Sequence, residues 1–151
     1  MYKKIMVPLD GSQIAETVFP HLETVVKGCQ EKPEVVLVQA VEPISIPMGR
    51  EVSQFASIKQ VQDFESHQKN DAEKYLNEIA AYLESRGIKC RVEVITGRAG
   101  EVLAAYVNKN NVDLVVMATR GRSGIKKMVL GSVAERLLRS VSVPILMVWP
   151  K

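Results

Sequence analysis

The fold of this chain is indicated most clearly by residues 114–133, which read LVVMATRGRSGIKKMVLGSV. The first five residues form an apolar run typical of a buried strand, and a helical pattern begins near Val133. Between them lies a basic segment with glycines at positions 121, 124 and 131. Glycines let backbone N–H groups approach an anion, and a helix start adds free N–H groups and a positive dipole end. The pattern therefore predicts a phosphate-binding loop and points toward a nucleotide.

The rest of the chain alternates in the same way between apolar strands and amphipathic helices. Strands are predicted over Tyr2–Leu9, Val35–Val41, Ile88–Thr96, Asp113–Ala118 and Val143–Trp149. Helices are predicted over Ser12–Gly28, Phe64–Arg86, Gly100–Asn108 and Val133–Arg139, with an irregular segment at Glu42–Lys59. Such alternation is typical of an α/β fold with a parallel sheet and right-handed crossovers. We predict one Rossmann-like domain over residues 1–151, a three-layer structure with helices on both faces of an open five-stranded parallel sheet in the order 3-2-1-4-5.

Composition and charge argue against several classes of protein. The net charge is only +3 and aromatic residues make up 5%, so nucleic acid is not the expected partner. The apolar runs are too short to cross a membrane, and Pro8 and Asp10 interrupt the basic-then-apolar N-terminus, which excludes a signal peptide. Cys29 and Cys90 lack any metal-binding spacing. We therefore expect a cytoplasmic protein with no membrane association.

The predicted strand order indicates where in the sheet a ligand would bind. In an open α/β sheet, ligands bind beyond the carboxyl ends of the strands where the winding reverses, which is here between the first and fourth strands. Asp10 follows the first strand, and the glycine-rich loop follows the fourth. A carboxylate beside a phosphate loop can accept ribose hydroxyl groups or hold a divalent metal bound to the phosphates.

The whole chain resembles the universal stress protein family, and three segments carry the resemblance most clearly. They are the opening YKKIMVPLDGS at residues 2–12, the glycine-rich loop, and the ending SVPILMV at residues 142–148. The nucleotide signature of the family is Gly-x-x-Gly, nine residues, and then Gly-Ser or Gly-Thr. Here Gly121, the nine residues 122–130 and the pair Gly131-Ser132 match that signature, whereas Ala118 replaces its first glycine.

The resemblance implies an ATP-binding member with a fold like that of the adenine nucleotide alpha hydrolases. Asp10 would contact the ribose or, through the phosphates, a bound Mg²⁺ or Mn²⁺ ion. The residues implied to surround the base and ribose are Pro8, Leu9 and Ala40, with Met117 and Ala118 as the floor of the pocket. The residues implied to hold the phosphates are Gly121, Arg122, Gly131, Ser132 and Val133. The density of positive charge in the loop adds Arg120 as a further candidate, although a charged cluster is also compatible with a plain solvated surface.

The family resemblance also implies a homodimer formed through the last strand, Val143–Trp149, whose apolar edge is open to pairing. The function predicted first is a dimeric, nucleotide-dependent stress-response module that binds ATP, with ADP and AMP as alternative ligands. A slow ATPase or a phosphoryl- or nucleotidyl-transfer enzyme is the second hypothesis. Efficient catalysis is not expected, because the chain lacks a Gly-x-x-x-x-Gly-Lys-Ser/Thr loop and a nucleophile paired with a base. A nucleotide-free interaction module of the same fold is the third hypothesis.

Overall fold

A computed structural model describes residues 2–44, 58–119 and 130–150 of the chain. In these residues, five parallel strands form one sheet in the order β3-β2-β1-β4-β5. The strands are β1 (Lys4–Pro8), β2 (Glu34–Val41), β3 (Cys90–Thr96), β4 (Leu114–Ala118) and β5 (Ile145–Val148). The helices are α1 (Gln13–Glu16), α2 (Phe19–Gly28), α3 (Ile58–Ser85), α4 (Ala99–Lys109) and α5 (Ser132–Ser140). The predicted strand order and parallel pairing are confirmed.

Helices cover both faces of the sheet, so the fold has the three predicted layers. Side chains alternate along β1, and Ile5 and Val7 pack with Phe19, Leu22 and residues of α3 on one face. Met6, between them, packs on the opposite face with residues of α4 and α5. The first two crossovers thus run over one face and the last two over the other. The winding of the chain reverses between β1 and β4.

The predicted helix over Ser12–Gly28 is wrong in one respect, because the structure divides it into α1 and α2. Pro20 has no N–H to donate to the carbonyl of Glu16, so a continuous helix would lose that hydrogen bond. Thr17 N instead bonds Ile14 O at 3.2 Å, and α2 resumes with Leu22 N donating to Val18 O at 2.8 Å. Ser12 does cap α1, as predicted, by accepting a hydrogen bond from Ala15 N.

The start of the long helix predicted over Phe64–Arg86 is also wrong, since the corresponding helix, α3, begins at Ile58. The first turns of α3 bury no side chain that the structure describes, and Ala72 is the first buried residue. Hydrophobic periodicity detects a helix by its buried face, so it missed these polar turns. Residues 45–57 of the segment predicted to be irregular lie outside the described residues. No helix within the described ranges is both long and apolar enough to cross a membrane.

Asp113 fastens the amino ends of β1 and β4 together. Its Oδ2 atom accepts hydrogen bonds from Lys3 N and Lys4 N, each at 2.8 Å, and its own N–H donates to Lys4 O at 2.8 Å. The two backbone hydrogen bonds lower the pKa of the Asp113 carboxyl below its ordinary value, and the nearby positive charge of Lys3 contributes in the same direction. The contact fixes the spacing of the two strands whose opposite ends flank the crevice.

We predict that Asp113→Asn makes the protein less stable at neutral pH because the neutral amide is a weaker acceptor. A carboxyl whose pKa is lower in the folded chain stabilises it above the unfolded pKa, and the stabilisation is lost as the pH falls through the folded pKa. The stability difference between wild type and variant should therefore be full above about pH 4 and shrink at lower pH. Urea denaturation from pH 2 to pH 7 measures it, with Asp71→Asn on α3 as a control that should show no such trend. A difference independent of pH would contradict this role.

Gly97 makes the tight turn from β3 into α4. Its φ angle is +139°, and a Cβ atom at this position would overlap Cγ1 of Val102. We predict that Gly97→Ala lowers the free energy of unfolding by roughly 2–4 kcal/mol, from backbone strain and overpacking together. The double variant Gly97→Ala/Val102→Ala should cost less than the sum of its two single variants, because the overlap is removed. Additive costs in a double-mutant cycle would show that the overlap contributes nothing.

Candidate functional site

A crevice lies at the carboxyl ends of β1 and β4, where the chain winding reverses. Its first part is a cavity of about 120 Å³ with mostly apolar walls. The residues lining it are Pro8, Leu9, Asp10, Ser12, Ile14, Ala15, Ala40, Ala99, Leu103, Met117, Ala118 and Val133. Its second part, about 280 Å³, is lined by Asp10, Met117, Ala118, Thr119, Gly131, Ser132, Val133 and Ala134. Four residues line both cavities, so the two form one continuous crevice with an apolar end and a more polar end.

The apolar end is built by residues from both faces of the sheet. Leu9, buried at the end of β1, packs with the α1–α3 layer, whereas Met117 on β4 packs with the α4–α5 layer. Ala99 and Leu103 bring α4 to the same wall. Small side chains such as Ala40 and Ala118 leave room between these larger ones. The cavity therefore suits a flat, largely apolar group with few polar atoms on its edge.

The turn after β1 holds the Asp10 carboxylate at the rim of the crevice. Ser12 N and Ser12 Oγ both donate to Asp10 Oδ1, at 3.0 and 2.5 Å. Gly11 sits between them with a φ angle of +77°, a conformation that glycine adopts without strain. Ser12 also accepts a hydrogen bond from Ala15 N, so the turn and the first turn of α1 form one unit. Asp10 is thus orientated before any ligand arrives.

Three helices begin beside the crevice. Ser12 caps α1, whereas α4 and α5 differ in how their first N–H groups are satisfied. At the start of α4, Glu42 Oε1 accepts a hydrogen bond from Ala99 N at 3.3 Å, so a carboxylate of the protein already occupies that helix end. At the start of α5, the N-cap residue is Gly131, and no side chain of the described residues caps the helix. The first-turn N–H groups of α5, at the more polar end of the crevice, are therefore available to an anion.

A tyrosine and a glutamate lie behind the Asp10 turn. Tyr75 Oη donates to Glu16 Oε1 at 3.1 Å, which joins α3 to α1. Burial raises the pKa of Tyr75 most strongly, and the negative charge of Glu16, its hydrogen bond to Tyr75 and the charge of Asp10 raise it further. Tyr75 accordingly stays protonated and remains a hydrogen-bond donor at neutral pH. The pair supports the first turn of α1, which carries Ile14 and Ala15 into the crevice.

Nine of the twelve residues predicted as site residues line the crevice. They are Pro8, Leu9, Asp10, Ala40, Met117, Ala118, Gly131, Ser132 and Val133. The other three, Arg120, Gly121 and Arg122, lie outside the described residues. Asp10 belongs to no group of three or more metal-ligating side chains in the part of the chain that the structure describes. Its predicted contact with a metal, through phosphates only, needs no such group.

Seven lining residues were not predicted as site residues, and they come from α1, α4, the end of β4 and α5. The residues concerned are Ser12, Ile14, Ala15, Ala99, Leu103, Thr119 and Ala134. Ser12 and Thr119 adjoin predicted positions, so their place in the chain could have revealed them. Ala99 and Leu103 follow β3, which is not adjacent to the crevice in the sheet. Only the packing of α4 across the sheet brings them to this wall.

Curated proteins similar to this chain include two from Methanocaldococcus jannaschii. Universal stress protein MJ0577 is 28% identical over 159 residues, covering 100% of this chain and 97% of the relative. Universal stress protein MJ0531 is 26% identical over 149 residues, covering 98% and 82%. The solved structure of MJ0577 superposes with a TM-score of 0.79 at 25% identity and covers 100% of this chain and 98% of that chain.

Two further solved structures share the fold at lower identity and contain a nucleotide. A universal stress protein in complex with cAMP has a TM-score of 0.68 at 17% identity, covering 99% of this chain and 98% of that one. A family member from Arabidopsis thaliana with AMP bound has a TM-score of 0.67 at 18% identity, covering 99% and 92%. The model of the Universal stress protein family matches residues 1–148, and this chain therefore belongs to that family.

Proposed function

We propose that this protein binds an adenine nucleotide, in the first place ATP, in the crevice between the carboxyl ends of β1 and β4. The observation that carries the proposal is that an apolar cavity shares four lining residues with a second cavity at the start of α5, a helix that no described side chain caps. A base needs the first feature and a phosphate needs the second. We propose further that the chain is one domain over residues 1–151 and works in the cytoplasm as a nucleotide-dependent stress-response module.

In this proposal the base and ribose occupy the apolar end of the crevice. Pro8, Leu9 and Ala40 lie along one side of the base, and Met117 and Ala118 form the floor. Asp10, fixed by Ser12, accepts a ribose hydroxyl. The nucleotides bound by the two solved relatives, cAMP and AMP, share the adenosine part that this end of the crevice would hold. Their presence on the same fold supports an adenine nucleotide here.

The phosphates lie at the other end, against the first turn of α5. Backbone N–H groups of Ser132 and Val133 follow the uncapped Gly131, and the Ser132 hydroxyl lies in the same cavity wall. Arg120, Gly121 and Arg122 of the glycine-rich loop complete the proposed phosphate site. A bound Mg²⁺ or Mn²⁺ ion would neutralise phosphate charge. Among the described residues that line the two cavities, Asp10 is the one with a carboxylate, and it would contact the ion through the phosphates.

The proposal is for binding and assigns no efficient turnover. Hydrolysis requires a side chain that positions and deprotonates a water molecule. Of the described residues that line the two cavities, Asp10 is the one with a carboxylate, and Ser12 donates two hydrogen bonds to it. One of its two oxygens, Oδ1, is therefore already engaged within the fold. Slow hydrolysis stays the second hypothesis.

The proposal is tested by placing a negatively charged side chain at the N-terminus of α5, where it would compete with the phosphates. Gly131 has a φ angle of −64°, and a Cβ atom there would meet no atom of the described residues within 4 Å, so a side chain can be added without backbone strain. Asp and Asn cap helices about equally well and slightly better than Gly, so both Gly131→Asp and Gly131→Asn should melt at or slightly above the wild-type temperature. Only the aspartate competes with phosphate. We predict that Mg-ATP affinity falls at least about 10-fold more in Gly131→Asp than in Gly131→Asn.

Isothermal calorimetry on the ligand-free protein measures these affinities, after any copurified nucleotide has been removed and identified by mass. Wild-type protein that neither retains nor binds an adenine nucleotide would refute the proposed function. Equal affinities of the aspartate and asparagine variants would show that the phosphates lie away from α5. Binding would then have to be assigned to the rest of the crevice.

We also propose a homodimer formed through the last strand, including the predicted range Val143–Trp149. Two features support it: β5 lies at an edge of the sheet, and apolar side chains directly after β5 and on the preceding helix α5 are exposed. Trp149 is 47% exposed directly after β5, and Leu138 is 47% exposed on α5. An apolar strand at an open edge is a ready surface for pairing with a second copy.

We predict that Trp149→Glu shifts the protein toward monomer while changing the stability of the fold by no more than about 1 kcal/mol. The matched control is Phe64→Glu on α3, another aromatic residue that is 51% exposed but lies on a different element. Sedimentation velocity over a range of protein concentrations measures the assembly. A dimer that persists unchanged in Trp149→Glu, or dissociates equally in Phe64→Glu, would argue against this interface.

A further inference from the structure

Thr119 has a buried hydroxyl group without a hydrogen-bond partner among the described residues. The residue directly follows β4 and is 3% exposed, and Oγ1 makes no hydrogen bond to any residue that the structure describes. Its backbone is held in place, since Thr119 N donates to Val148 O at 3.0 Å and extends the pairing of β4 with β5. Buried polar atoms in folded proteins are nearly always paired, so this hydroxyl requires an explanation.

The position of Thr119 places its side chain at the phosphate end of the crevice. Side chains alternate along an extended strand, so Thr119 faces the same side of the sheet as Met117, two residues earlier. Met117 packs with Ala134 and Leu137 of α5. Thr119 lines the same cavity as Gly131 and Ser132, and it does not line the apolar cavity. The unpaired hydroxyl and the uncapped end of α5 therefore belong to one wall.

The second unpaired side-chain atom in the described part of the chain differs in both chemistry and place. It is Gln39 Oε1, an acceptor, which lies beside Tyr75 and Gln68 on the α3 side of the sheet. An acceptor cannot bind a phosphate oxygen, whereas the Thr119 hydroxyl can donate its proton to one. The Thr119 oxygen is itself buried from water. A hydrogen bond made there therefore contributes more than one made in water.

We propose that the Thr119 hydroxyl is a phosphate-recognition group that donates a hydrogen bond to a phosphate oxygen of the bound nucleotide. The inference rests on the proposed function and adds a side-chain donor to the backbone donors of α5. It explains why a polar side chain occupies a buried position where valine would fit the space. It also predicts that the contribution of Thr119 depends on the phosphates and is absent for a nucleoside.

The test compares Thr119→Val, which removes the hydroxyl at nearly constant shape, with Thr119→Ser, which keeps it. Affinities for Mg-ATP, AMP and adenosine are measured by calorimetry on ligand-free protein. We expect Thr119→Val to weaken ATP and AMP about 10- to 100-fold, as for a lost hydrogen bond to a charged group, and to leave adenosine unchanged. Thr119→Ser should bind all three as the wild type does. Thr24→Val is the control, because the Thr24 hydroxyl bonds Pro20 O on α2, outside both cavities.

The melting temperature of the ligand-free variants separates phosphate recognition from a structural role. A buried hydroxyl that no described residue bonds is not expected to stabilise the fold, so Thr119→Val should melt at or above the wild-type temperature. Unchanged ATP affinity in Thr119→Val would overturn the inference and leave the proposed function standing. Equal weakening of ATP and adenosine would overturn it as well.

Failure of the proposed function would be recognised separately. If the wild type binds no adenine nucleotide, the same variants are titrated with inorganic triphosphate. Weaker triphosphate binding by Thr119→Val than by Thr119→Ser would support phosphate recognition by Thr119 without an adenine site. Equal binding, or none by the wild type, would overturn the inference.

Discussion

The crevice exists because the helices that follow β1 and β4 pack on opposite faces of the sheet. A crossover helix normally covers the end of the strand that it leaves. Where two neighbouring strands send their helices in opposite directions, the ends of both strands remain uncovered. Each other feature of the site depends on this separation. The Asp10 turn enters from one side, α5 starts on the other, and the space between them lies at the centre of the sheet.

The N-termini of α4 and α5, both beside this space, differ in whether a side chain accepts a hydrogen bond from their first N–H groups. Glu42 from the end of β2 reaches the start of α4, so the positive end of that helix is neutralised within the fold. The start of α5 has glycine as its N-cap, and the adjacent Thr119 hydroxyl has no partner among the described residues. A side-chain cap on α5 and a hydrogen-bond partner for the Thr119 hydroxyl would make the ligand-free protein more stable. Unsatisfied donors concentrated at one place are expected where binding supplies the partner.

Several elements could be predicted because their signals are local. The apolar runs of β1, β2 and β4 are buried on both faces, and parallel strands of this kind read as continuous hydrophobic sequence. The break before Pro20 was missed although its signal is local, since proline lacks the N–H that a continuous helix needs and is tolerated only in a first turn, where it lies in α2. The first turns of α3 were not readable by periodicity, because they bury none of the side chains that the structure describes there. Burial is a property of the folded chain, and hydrophobic patterning reports a helix only through it.

The sequence by itself determined the alternation of strands and helices, the strand order and the two segments that meet at the crevice. These follow from hydrophobic period, from glycine positions and from the restricted handedness of parallel crossovers. Only the tertiary structure decided that α4 lines the crevice and that Glu42 occupies the start of that helix. It also decided that, among the described residues, no side chain caps α5 and none bonds the buried Thr119 hydroxyl. Each of these depends on distances between residues far apart in the chain, which packing sets and local patterns do not encode.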